Sequence, residues 1–264
     1  MTIHKWWKAA ILAALIGAVA AAIYPTRLPS PLVGVVGNPP NTPRIMALTF
    51  DDGPSPQFTP EILQLLTRYN AHATFFVLGS EAAHFPQLVR DIIKQGSAVA
   101  NHGYNHINYF QAGLARTLHD AAQAQALFDK EKIPSIPFYR PPFGNSNQRL
   151  VEAMAQKGYA VTLWSVDTHD WSKPGISYIT RKVLTDAKPN AIVLMHDSGG
   201  NRNQTVAALA AILPVLKAEG YKFVTLSQYV QALGLKKPSK LPLPLETSHT
   251  EKNRRNQNTR PTQA

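Results

Sequence analysis

"RIMALTFDDGPS", Arg44 to Ser55, runs through an apolar stretch into two adjacent carboxylates and halts at once on Gly-Pro. Its first seven residues, 44–50, have the length and composition of a buried strand, so the two acids stand at a strand's carboxyl end. An amphipathic stretch, 59–69, follows, and the same order recurs along the chain. Strands are expected at 73–79 ("ATFFVLG"), 97–102 ("SAVANH"), 137–140 ("PFYR"), 161–166 ("VTLWSV"), 191–196 ("AIVLMH") and 221–226 ("YKFVTL"). Helices are expected at 85–95, 114–130, 147–157, 176–187, 205–219 and 226–233. Seven strand-helix units imply a parallel sheet with helices outside it, either closed as a barrel or open and doubly wound. Both arrangements place ligands at the carboxyl ends of the strands.

The polar residues obey that rule. Asp51 and Asp52 follow the first strand, His102 and His106 the third and Arg140 the fourth, while Asp167 to Trp171 follow the fifth and His196 and Asp197 the sixth. All fall on one rim, where scattered surface charge would fall at both ends of the strands. Consecutive strand residues point to opposite faces, so Asp51 and Asp52 are expected to divide the labour, one binding a metal and the other handling a proton. An isolated Asp-Asp-Gly is equally what a loop uses to cap the next helix. The spacing of "NHGYNH" offers His102 and His106 to one cation, and with Asp52 as third ligand the set is two nitrogens and one oxygen, open for water and substrate. The chain has no cysteine, which excludes disulfides and thiolate metal sites.

Length and composition, 264 residues of which 44% are hydrophobic, suit one large domain with flanks. The formal net charge of +11 resides mostly in those flanks: residues 1–44 carry four bases and no acid, and 236–264 carry seven bases against Glu246 and Glu251. The 191 residues between them hold sixteen bases and fourteen acids, so no basic binding face is demanded. Basic flanks suit lipid headgroups or an acidic cell-wall polymer; solvated tails without a partner fit the same count. Lys5 and Lys8 precede an uncharged run from Ala9 to Tyr24 that reads as an export segment, with Ala-x-Ala sites at 18–20 and 20–22 and with Trp6, Trp7 and Tyr24 placed for membrane interfaces. Residues 1–24 are thus a cleaved signal or an uncleaved anchor, and the sequence serves both. Residues 25–43 read as a Pro/Gly-rich linker, 44–235 as the domain and 236–264 as a disordered basic tail. No nucleic-acid recognition motif accompanies the basic residues.

The ordered set "TFDDGP", "HGYNH", "RPPFG", "DTHDW" and "LMHD" resembles the polysaccharide deacetylases of carbohydrate esterase family four, the group with the NodB homology domain. The resemblance spans about 44–233 and implies a distorted (β/α)7 barrel. It implies a zinc-type divalent metal, with Co2+ or Ni2+ as substitutes, held by Asp52, His102 and His106. It further implies Asp51 as general base, His196 as general acid, Arg140 orienting and charging the base, and Asp170 paired with the acid. The main-chain N–H of Phe143 would meet the oxyanion, and Leu194 and Trp171 would form the pocket for the acetyl methyl. Two positions depart from the pattern: Gly103 stands where Ser or Thr is usual, and Phe143 where Tyr is usual. His169 and Asp197 receive no role beyond helix capping or solvent contact, and His72, His84 and His119 read as surface residues. The expectation is an exported, monomeric N-deacetylase of an N-acetylated glycan at the cell envelope, with peptidoglycan favoured over chitin oligomers or an exopolysaccharide.

Overall fold

The structure, a computed structural model, describes Leu32, residues 43–186 and residues 188–235. The expected export segment, nearly all of the linker and the tail from Lys236 lie outside those residues. Among the described residues no helix is long and apolar enough to cross a membrane.

The elements run β1 (Ile45–Asp51), α1 (Phe58–Arg68), β2 (Ala73–Val77), α2 (Gly79–His84), α3 (Pro86–Lys94), β3 (Ala98–Asn101), α4 (Tyr109–Lys130), β4 (Ser135–Tyr139) and α5 (Gln148–Gln156). They continue with β5 (Ala160–Val161), β6 (Val166–Asp167), α6 (Ile176–Asp186), β7 (Ile192–His196), α7 (Asn203–Ala218), β8 (Lys222–Phe223) and α8 (Leu226–Ala232), with single 3-10 turns at Pro142–Gly144 and Asp170–Ser172. Each expected helix is present, and α2 is an addition. The strands are ordered β5-β4-β3-β2-β1-β7-β6, with β8 beside the start of β1, and all pair in parallel. The sheet curls into a distorted (β/α)7 barrel.

One expected strand is broken, and the break explains the distortion. Residues 161–166 do not form a single strand: Val161 pairs with β4 and Val166 with β7, so the residues between them cross from one sheet edge to the other. The carbonyls of Thr162 and Leu163 there accept from the Arg140 guanidinium, through Nε at 3.1 Å and Nη2 at 3.0 Å, rather than from a neighbouring strand. Leu32, within the expected linker, pairs with the barrel. Its N–H donates to the Val161 carbonyl at 2.8 Å and its carbonyl accepts from Leu163 N at 2.9 Å, which covers the outer side of β5. The last strand is shorter than expected because Thr225 leaves it to cap α8, its hydroxyl bonding Gln228 N while the Gln228 side chain bonds Thr225 N.

Strand alternation sorts the apolar residues into two layers. Ile45, Ala47, Phe76, Ala100, Phe138 and Ile192 fill the inside of the barrel. Met46, Leu48, Phe50, Phe75, Val99, Val193 and Met195 pack against the helices. Full burial of each large side chain contributes about 1.5–3 kcal/mol. Further along the inward rows of β1, β3, β4 and β7, at the carboxyl rim, the apolar side chains give way to Thr49 and Asp51, His102, Arg140 and His196. The period that builds the core therefore also aims the polar groups into one mouth.

Candidate active site

Asp52, His102 and His106 meet at that mouth, their ligand atoms all within 4.8 Å of one another. Alternation alone would send Asp52 outward; its positive φ of 75° turns it back over the barrel. The Nε2 atoms of His102 and His106 stand 3.3 and 3.2 Å from Asp52 Oδ1, a buried oxygen that accepts no hydrogen bond. His102 Nδ1 lies 2.8 Å from the Arg140 carbonyl, which can only accept, so this nitrogen carries the proton and Nε2 presents its lone pair. Two imidazole nitrogens and an orphaned carboxylate oxygen converging on one point fit a divalent cation. Burial works to raise the Asp52 pKa, but hydrogen bonds from His102 and His106 and the charge of His102, when those rings are protonated, more than offset it and hold the carboxyl well below the ordinary range.

Beside this cluster, Asp51 lies on the inward face of β1 and accepts from Arg140 Nη1 at 2.7 Å. The same Nη1 donates to Thr49 Oγ1 at 2.8 Å, and Thr49 in turn donates to the Val193 carbonyl. Arg140 is fully buried, and its planar fork is satisfied by one carboxylate, one hydroxyl and two carbonyls. Burial pulls its pKa down, and the adjacent Asp51 carboxylate opposes that shift.

Opposite Asp51, the His196 ring is held through Nδ1 by Asp170 Oδ1 at 2.7 Å. The other oxygen of Asp170 accepts from His196 N and from Thr205 Oγ1, each at 2.8 Å. One carboxylate thus fixes both backbone and ring of His196 and leaves Nε2 for the site. Burial lowers the His196 pKa, but the bond and charge of Asp170 outweigh it and the net shift is upward. Asp170 itself is shifted down, since the His196 contacts outweigh its own burial.

Of the remaining expected site residues, Phe143 and Trp171 are exposed on the rim at 61% and 54%, and Leu194 is buried on β7. Phe143, at φ 62°, sets its ring edge-on to His106 with centroids 4.6 Å apart. Asp197 overturns its expectation. It neither caps a helix nor meets solvent but is fully buried, with its N–H on the Asp51 carbonyl at 3.2 Å and Oδ2 accepting from Thr59 Oγ1 at 2.5 Å. Burial, aided by the nearby Asp52 charge, pushes its pKa up to about 7. A Cβ at Gly53 would come within 2.2 Å of Asp197 Oδ2, so the glycine of Asp-Asp-Gly makes room for this third acid. His169 and His84 face solvent as expected, whereas His72 is half buried and its Nδ1 lacks a partner among the described residues.

Thr49, Thr59, Thr205 and Arg202 were not legible as site residues. Arg202 is buried, and its guanidinium bonds the carbonyls of Ser198, Gly199 and Asp170, knitting the loop after His196 to the Asp170 backbone. Nothing in local sequence separates such residues from ordinary loop and helix positions.

A family model described as polysaccharide deacetylase matches residues 38–162. A peptidoglycan-N-acetylglucosamine deacetylase of Bacillus cereus is 42% identical over 195 residues, 73% of this chain and 91% of the relative. A chitooligosaccharide deacetylase of Sinorhizobium fredii is 38% identical over 194 residues, 69% of this chain and 89% of the relative. Among solved structures, the Bc1960 peptidoglycan N-acetylglucosamine deacetylase, crystallised with an N-hydroxybenzamide, matches with a TM-score of 0.72 at 32% identity, over 79% of this chain and 94% of that one. Identity at this level across nearly the whole of each relative, on the same barrel, makes the chain a member of the polysaccharide deacetylase family.

Proposed function

We propose that the chain is an exported, metal-dependent hydrolase that removes N-acetyl groups from an N-acetylglucosamine polymer, with peptidoglycan as substrate. The observation that carries this reading is the flanking of the Asp52, His102 and His106 cluster by two hydrogen-bonded charged pairs, Asp51 with Arg140 and His196 with Asp170. Asp52, His102 and His106 would hold a divalent cation, zinc in the first instance, whose chemistry is Lewis-acid activation of the acyl oxygen and of water. Asp51, fixed by Arg140, accepts a proton from the attacking water as its oxygen adds to the acetyl carbon. The oxyanion so formed is placed against the main-chain N–H of Phe143. An amide nitrogen leaves badly as an anion, so the C–N bond breaks as His196 Nε2 delivers a proton to it, releasing acetate and the free amine. Asp51 then gives up its proton to solvent and His196 takes one back. Leu194 and Trp171 are assigned to the acetyl methyl, and exposed Phe143 to a sugar face.

Export of the chain, and its retention near an acidic wall by the basic flanks, rest on the sequence of residues 1–44 and 236–264 and favour peptidoglycan. The Sinorhizobium relative favours chitin-type oligomers as a second reading. The test is release of acetate by the zinc-loaded protein from peptidoglycan, chitin oligomers and an acetylated exopolysaccharide. Peptidoglycan is expected to give the most; release from chitin oligomers alone moves the assignment to the second reading, and none from any substrate overturns it.

The domain is proposed to span residues 31–235. A chain cut to those residues is expected to melt with the full-length protein. One beginning at residue 43 loses the two Leu32 hydrogen bonds, at about 1 kcal/mol each, and is expected to melt about 4–8 °C lower. Coincident melting of the two cut chains would return the boundary to residue 43.

A further inference from the structure

The loop that joins His102 to His106 is held by a carboxylate from the helix that follows it. Asp120, in the middle of α4 and only 5% exposed, accepts from Tyr104 N at 2.7 Å through Oδ2. Its Oδ1 accepts from Asn105 N at 3.1 Å and from Asn105 Nδ2 at 2.9 Å. On the other side, the carbonyls of Gly103 and Tyr104 accept from Gly79 N and Ser80 N, at the start of α2. The loop is thus clamped by its carbonyls to one helix and by its N–H groups to Asp120.

Position 103 is shaped for that carboxylate. Gly103 has φ +82°, and a Cβ built on it would lie 2.4 Å from Asp120 Oδ2. A side chain there would push the carboxylate aside and, at this φ, strain the backbone as well. The two metal-site histidines also differ in their support. The His102 ring is hydrogen-bonded through Nδ1 to the Arg140 carbonyl, whereas the His106 ring has no hydrogen bond to a second residue's carbonyl among the described residues and meets the edge of Phe143. His106 also sits at φ 55°. Its aim therefore depends on the backbone just before it, residues 104 and 105, which is where Asp120 holds the chain.

We propose that Asp120 is a positioning residue for the metal site: with the space left by Gly103, it fixes the 103–105 backbone so that His106 Nε2 faces Asp52, and so sets the affinity for the cation. Groups that orient a metal ligand rather than touch the metal are commonly worth 10–100-fold in affinity. The inference rests on the proposed function only in taking Asp52, His102 and His106 to bind a divalent ion.

The experiment measures zinc dissociation constants by chelator competition on the full chain, with folding of each zinc-free variant followed by circular dichroism. Asp120→Ala is expected to stay folded at 25 °C and bind zinc about 10–100-fold more weakly, with turnover at saturating zinc much closer to the parent. Gly103→Ala is expected to weaken zinc as well, because its methyl displaces the carboxylate. In the double variant the carboxylate is gone, so the methyl adds only the backbone strain of a side chain at φ +82° and costs less than it does alone. A purely structural Asp120 would lower the melting temperature and leave the zinc constant of the folded protein unchanged. That result, or losses in the two single variants that simply multiply in the double, overturns the proposal. If Asp120→Ala does not fold, Asp120→Asn decides the matter. It keeps the volume and one oxygen but turns an amide N–H toward the loop's own N–H groups, so weaker zinc binding is again expected and an unchanged constant refutes the role. A parent protein that binds zinc but releases no acetate from any glycan would strike at the proposed function and leave this inference standing.

Discussion

Asp51→Asn is expected to keep zinc at about one ion per chain while turnover on an acetylated glycan falls by about 10²–10⁴-fold. Asp52→Ala is expected to be as inactive for a different reason, the loss of the metal. The two acids are neighbours in sequence but not in environment. Asp51 continues the inward row of β1 and is hydrogen-bonded to Arg140, so asparagine retains its shape and one acceptor yet cannot take a proton. Asp52 turns on a positive φ to face two imidazole nitrogens, and its Oδ1 accepts no hydrogen bond. Removing it leaves two histidines for the cation, and added zinc should restore little activity. Metal content after dialysis separates the variants, since turnover does not. Loss of zinc from Asp51→Asn with retention in Asp52→Ala would exchange the roles, and retention in both would dismiss the cluster as a metal site.

The inward aim of Asp51 was readable from alternation along a strand, because side chains two residues apart share a face whatever the tertiary context; the positive φ that brings Asp52 back over the mouth was not. The same rule put His102, Arg140 and His196 on one rim, since each closes an inward row two residues beyond a core side chain. The broken strand at 161–166 was not readable. Its residues have strand composition throughout, and only the Arg140 guanidinium, arriving from another strand, takes the carbonyls that would have extended the ladder. Leu32 was hidden for a related reason: one paired residue within a Pro- and Gly-rich stretch leaves no periodic signal. Asp197 was misread because the residue after a motif histidine has no local mark of burial; Thr59 and Gly53, which make its site, lie far away in the chain. Asp120 did leave a trace, for it falls on the helix face that buries Thr117, Ala121, Ala124 and Phe128. A charged residue in such a stripe requires a partner, and it has one in the 104–105 backbone.

His196→Ala is expected to cost about 10²–10⁴-fold in turnover on the amide substrate and to leave zinc content unchanged, because His196 lies outside the Asp52, His102 and His106 cluster. The loss should depend on the leaving group. An amine must be protonated as it departs, whereas a nitrophenolate leaves unaided, so hydrolysis of a nitrophenyl acetate should suffer far less. Equal losses on amide and ester would remove His196 from the acid's role. The pH profile gives a second readout. The His196 pKa is raised, with Asp170 overcoming the effect of burial, so the acid is present at low pH and is lost as pH climbs through that raised value; turnover should therefore fall on the alkaline side. Asp170→Asn removes the charge that does the raising while burial continues to lower the pKa, and the alkaline limb should move to lower pH. The same pair bears on stability with a definite sign. The raised His196 contributes fully below the unfolded histidine value, about 6.5, and its contribution disappears as pH rises through the folded pKa. The lowered Asp170 contributes above the unfolded aspartate value, about 3.9, and its contribution disappears as pH falls through the folded pKa. The pair is thus at full strength between those two values and weakens on both sides of them. An alkaline limb that stays in place in Asp170→Asn would show that this carboxylate holds the ring without tuning it.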